Sequence, residues 1–164
     1  MDHLPPIPDE YLKAIGSVVV HWNYLEEVLN LILIHLLGKK ITDDRSHIIF
    51  AHTSFPQKMD ILSALVGKVE NLPEYSRFQE HKANVEPLLK TAQSSRNTII
   101  HSMWGMKDGK LMRASISARG SLKLVWIIVT LREIENAQES IARAYRALSE
   151  LVVSVTSLSP QSGQ

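Results

Sequence analysis

Apolar residues recur at three- and four-residue steps from Asp9 to Leu37: Tyr11, Ile15, Val18, Trp22, Leu25, Leu29, Leu33 and Leu36. That spacing predicts one long amphipathic helix, started at Asp9 after Pro8 and stopped at Gly38. Beyond Val28 the helix is apolar on nearly every side, through Leu31, Ile32, Ile34 and Leu37. Such a stretch needs cover from more than one layer, within its own fold or from a second copy. Thr42 to His52 predicts a short helix, and Ser54 or Phe55 with Pro56 opens another that turns Met59, Leu62, Leu65, Val66 and Val69 inward. After Pro73 a long helix is predicted from Glu74 to about Met103, with Phe78, Val85, Leu88, Leu89, Ala92, Ile99 and Met103 as its stripe. Pro87 inside it predicts a kink or a break.

The period then changes. Asp108-Gly109 and Ala118-Arg119-Gly120-Ser121 are turn signals between stretches rich in Val, Ile and Trp. They predict an antiparallel meander of Met103–Lys107, Lys110–Ser117 and Leu122–Val129. Thr130-Leu131-Arg132-Glu133 has the form of a capping box, which opens a last helix with Ile134, Ala137, Ile141, Tyr145, Leu148, Val152 and Val155 inward. The expectation is a mainly α fold: an up-and-down helical bundle in one domain, residues 1–158, with a small antiparallel β insert at about 103–129 before the last helix. Residues 159–164 read as a flexible tail.

Composition narrows the function classes. The chain has 164 residues, 45% hydrophobic and 21% charged, a globular balance. With no cysteine there is no disulfide, thiolate nucleophile or cysteine-ligated zinc. The start has no basic region followed by an apolar core, and Val28–Leu37 is too short for a bilayer. A cytoplasmic protein without membrane contact is therefore expected. A formal net charge of +1 favours no partner class.

Candidate chemistry concentrates in Ser95-Arg96-Asn97-Thr98-Ile99-Ile100-His101-Ser102. These are side chains suited to metal-free phosphodiester cleavage: His101 to move a proton near neutral pH, Arg96 to stabilise charge on phosphate oxygens, Asn97 to orient the imidazole. A second Arg-to-His pair, Arg45…His52, lacks the asparagine after its arginine. Arg96 falls within the apolar stripe of its helix, and Glu26 falls within that of the first helix beside Trp22 and Leu25. A charge so placed needs a partner. Glu26 and Arg96 are accordingly expected to lie close together, in a structural role behind the pair Arg96/His101. In the bland alternative, that ion pair only fixes helix register and His101 caps a helix or packs on Trp104.

Arg96-Asn97-x-x-x-His101 resembles the Arg-x4–6-His signature of the HEPN superfamily of all-helical ribonuclease and toxin domains. The long first helix with Trp22-x-x-Leu25-Glu26 and the bundle layout are also similar to HEPN-like families. The resemblance implies a homodimer with two motifs across a cleft, cleavage of RNA to a 2′,3′-cyclic phosphate without metal or cofactor, and a toxin–antitoxin or defence setting with an antitoxin or other protein as partner. Met103 stands where one branch of the superfamily carries a modifiable tyrosine, which sets this chain apart from that branch. The β insert lies outside the minimal bundle.

The insert adds a candidate RNA surface. Lys107, Lys110, Arg113, Arg119 and Lys123 face a single acid, Asp108, between Ser102 and Val129. A solvated sheet face with lysines guarding an edge fits the same residues. Trp104 and Trp126 fit core packing better than base stacking. His47 and His52, five apart, lack the spacing and the glutamate of a zinc helix, so no metal is expected. The alternative to an endoribonuclease is a non-catalytic dimeric helical scaffold that binds a protein partner or a nucleotide.

Overall fold

A computed structural model describes residues 6–69, 76–117 and 123–156. The described chain is mainly helical with one small sheet: α1 (Asp9–Leu36), α2 (Asp44–Ala51), α3 (Phe55–Val69), α4 (Ser76–Ile100), β1 (Met103–Lys107), β2 (Lys110–Ser117), β3 (Lys123–Ile128) and α5 (Leu131–Thr156). The turn Ala118–Ser121, the start of the long helix at Glu74 and the tail lie outside the described residues. None of the described helices is long and apolar enough to cross a membrane.

The chain divides into two compact units, with boundaries inside α1, α4 and α5. One takes the chain up to Trp22 with Lys90–Ala142, and the other takes Asn23–Leu89 with the chain from Arg143. In the second unit Leu25, Leu29, Ile32, Leu33 and Ile34 of α1 are all buried. Most of the apolar helix end is thus covered within the chain itself, while Leu37 just beyond it is 45% exposed. Gly38, at φ +68°, ends α1 in the left-handed region where a Cβ is strained. Asp43 caps α2 by accepting from the Ser46 amide and hydroxyl. The Ser46 hydroxyl is also the leading cause that holds the Asp43 carboxyl below its ordinary range.

α4 continues through Pro87 without a break, with the proline exposed. Two inward positions need correction. Met103 and Tyr145 are exposed rather than inward, at 51% and 38%. Met103 already belongs to β1, because α4 stops at Ile100. In α5 the buried positions step 134, 137, 141, 144, 148, 151, an alternation of three and four that leaves Tyr145 beside the stripe.

The sheet belongs to the first unit, in the order β1-β2-β3, antiparallel throughout. Asp108 and Gly109, at φ 50° and 70°, make the two-residue turn between β1 and β2 that their sequence signals. Register fixes the faces. Trp104, Leu111, Arg113, Val125 and Ile127 share one, while Met103, Met112, Ala114, Leu124, Trp126 and Ile128 share the other. Leu111 is 1% exposed and the Trp104 indole N–H donates to the Ile99 carbonyl at 3.1 Å, so the first face packs on α4. Trp126 corrects the core-packing expectation: it is 43% exposed and lies over Gly105, where an added Cβ would meet its ring at 3.5 Å.

Thr130 opens α5 as a reciprocal box. The Glu133 carboxylate accepts from the Thr130 amide and hydroxyl at 2.7 and 2.8 Å, and the Glu133 amide donates to the Thr130 hydroxyl oxygen at 3.3 Å. The backbone bond from Thr130, then its hydroxyl, holds the Glu133 carboxyl below its ordinary range. A group so depressed stabilises the fold above its unfolded value and loses that contribution as pH falls through the folded one. Thr130→Ala is expected to cost about 1 kcal/mol at neutral pH, a fall of about 2–4 °C in Tm. The difference between the two proteins should shrink in acid, which thermal melts across pH 3–7 would reveal.

Candidate functional site

α4 delivers Arg96 and Asn97 near its C-terminal end, and His101 follows that end, its amide still donating to the Asn97 carbonyl at 3.2 Å. Five residues of helix separate Arg96 and His101 by about 140° around the axis. The length of the arginine side chain overcomes that angle. Arg96 Nη1 lies 2.7 Å from His101 Nε2 and 3.1 Å from Asn97 Oδ1. A guanidinium only donates, so Nε2 accepts and the imidazole proton in this arrangement sits on Nδ1. Asn97 hydrogen-bonds the arginine that holds the imidazole, rather than the imidazole itself as expected.

Behind the pair, the guanidinium carbon of Arg96 stands 5.5 Å from the centroid of the Trp22 ring, within cation–π range. Trp22 is buried, and the Arg96 Nε is a buried donor without a hydrogen-bond partner. Glu26, the carboxylate expected near Arg96, has an ion-pair partner of its own. Glu26 Oε1 accepts from Lys58 Nζ at 2.8 Å in the second unit. Sequence reasoning passed over Lys58, which is 3% exposed. Its signal was its place one helical turn after Phe55 and before Leu62, on the apolar stripe of α3.

His101 is exposed, not sealed under Trp104. It lines an open cleft of about 340 Å³ together with Asn97, Ser94, Thr98 and Arg113. Arg96 sits outside that lining and reaches the cleft only through His101 and Asn97. Of the basic residues of the insert, Arg113 is the one the structure brings to His101. Lys107 and Lys110 oppose each other at the hairpin tip, three residues and about 10 Å further along the strands. Arg119 and the side chain of Lys123 lie outside the described residues. Among the described residues no group of three or more His, Asp or Glu side chains is placed to hold a metal ion.

The arrangement offers an imidazole with one nitrogen held by a guanidinium, and a second guanidinium across an open polar cleft. That set can bind an anion such as a phosphodiester and move a proton beside it. In comparisons with known families, curated proteins and solved structures, nothing matches this chain.

Proposed function

We propose that the chain is a HEPN-like, metal-independent endoribonuclease that acts as a homodimer. The observation that carries the reading is the 2.7 Å contact of Arg96 with His101, on a cleft that Arg113 also lines. Arg113 holds the phosphate of an RNA strand entering the cleft. A phosphate anion competes for the Arg96 guanidinium far better than a neutral imidazole does, because charge-assisted hydrogen bonds are the stronger. Arg96 turns to the phosphate and stabilises the charge that builds on its oxygens, and the Nε2 lone pair is released. Nε2 then takes the proton of the 2′-hydroxyl. The 2′-oxygen bonds to phosphorus, the bond to the 5′-oxygen breaks, and the proton on His101 returns to that 5′-oxygen. The products are a 2′,3′-cyclic phosphate and a 5′-hydroxyl. Analysis of the product ends with chelator present tests the chemistry: 3′-phosphate or 3′-hydroxyl ends formed directly, or activity abolished by the chelator, would overturn it.

For the homodimer we infer that β3 is the interface. Leu124, Val125, Trp126, Ile127 and Ile128 are 37–54% exposed, an apolar strip on both faces of an edge strand. Together they leave on the order of 500 Å² of apolar surface in water, over half of the ~800 Å² per partner that a stable interface covers. A second copy fits the strip. Antiparallel pairing centred on Trp126 sets Leu124 of one copy opposite Ile128 of the other and puts the two Lys123 at opposite ends. The same strip favours a second reading, a dimeric scaffold without the reaction, which the cleavage assay separates from the first. Val125→Lys is expected to convert dimer to monomer in sedimentation at micromolar concentration with helical content unchanged. An undiminished dimer would refute β3 as the interface.

A further inference from the structure

We propose that a second hollow beside the cleft is a nucleobase pocket that accepts bases with an exocyclic amine (adenine, guanine, cytosine) and disfavours uracil. Its placement next to a scissile phosphate rests on the ribonuclease reading. The hollow, about 410 Å³, shares Ser94, Thr98 and Arg113 with the cleft of His101, so the two form one trough within the first unit.

The trough is written in small side chains. Where a helix packs beside a sheet and another helix, large apolar residues normally fill the gap. Here α4 presents Thr91, Ser94 and Thr98 at helical spacing, and α5 answers with Ala137 and Ser140. None is long enough to close the space, which falls in the size range of small-molecule sites. Its floor is apolar (Ile99, Ile127 and Val129), suited to the flat face of a heterocycle.

Its edge is polar, and of the residues that line it Glu133 is the one that only accepts. Glu133 lines the hollow while its Oε2 is fixed by the Thr130 cap, and the cap holds the carboxylate ionised. Oε1 is the oxygen left to receive a ligand donor, beside the Asn136 amide. An exocyclic amine supplies such a donor at the rim of the base. Uracil has only its N3–H, flanked by two carbonyl oxygens that a carboxylate repels. Arg113, common to both hollows, is placed to hold the phosphate between base and scissile bond.

The test is equilibrium binding of the four nucleoside 3′-monophosphates, which have no bond to cleave. The adenosine, guanosine and cytidine compounds are expected to bind about tenfold or more tightly than the uridine compound, the effect of one charged hydrogen bond. Glu133→Gln keeps a capping oxygen for Thr130 and gives the pocket an amide that donates to the uracil carbonyl. In that variant the gap should close to about threefold or less. Equal binding of all four by the wild-type protein, no binding of any, or an unchanged gap in a folded Glu133→Gln protein would overturn the pocket. Pairing the titration with a cleavage assay of the wild-type protein separates the two ideas. Base discrimination by a wild-type protein that cleaves no RNA supports the pocket and overturns the nuclease reading alone.

Discussion

His101→Ala is expected to lower RNA cleavage by about 10²–10⁴-fold, the range that one positioned acid–base group contributes, with no measurable change in stability. The absence of a stability effect follows from exposure. His101 stands at the cleft surface and packs into no core, so alanine there leaves no cavity. Arg96→Ala should reach a comparable loss, about 10²–10³-fold, through the charge it no longer places on the phosphate. The two side chains share one hydrogen bond, so the double variant should fall little below the worse single one. Arg96→Lys should not rescue, because Nη1 alone serves Asn97 and His101, and an ammonium lacks both the planar group over Trp22 and a second nitrogen for the phosphate. Rates are best read on a fluorophore-labelled RNA with chelator present. Equal activity in wild type and His101→Ala would end the assignment of His101, and multiplicative losses in the double variant would end the idea that the pair acts as a unit.

The bundle and its insert were legible because their signals are local. The stripe from Tyr11 to Leu36, the Asp108-Gly109 turn and the Thr130/Glu133 box each fix a backbone shape within a few residues. Expectations went astray where a residue's environment depends on distant chain. Trp126 alternates correctly for a strand, but alternation alone does not tell which face of a sheet meets the helices.

The candidate site was legible in its members and not in its wiring. A helical wheel treats side chains as points at fixed angles, so it set Arg96 and His101 apart. A guanidinium on a flexible stem joins them. The wheel also marked Glu26 and Arg96 as charges on apolar stripes, each needing a partner. It could not see that Trp22 would hold the guanidinium by its ring face, or that Lys58 was a third charge on such a stripe. Arg113 was named as one of five basic residues of the insert, and only the strand register, opposite Trp104, sets it apart as the one at the cleft.

The Lys58–Glu26 pair yields an expectation of its own. Lys58 is 3% exposed and Glu26 29%, so the two partners are not equivalent. Glu26→Gln removes the countercharge of an ammonium that water scarcely reaches. It should cost about 3 kcal/mol in urea unfolding, at the lower end of what a broken buried pair costs. Lys58→Met should cost less, about 1 kcal/mol, since methionine follows the same aliphatic path and the Glu26 carboxylate touches solvent. Joining Lys58→Met to Glu26→Leu leaves no unpaired charge and should restore stability to within about 1 kcal/mol of the wild type. The asymmetry between the single variants is the informative quantity. Equal costs would mean that the pair behaves as a surface salt bridge, whose loss is worth no more than about 1 kcal/mol from either side. A double variant no better than Glu26→Gln would mean that Glu26 is held for contacts other than its charge.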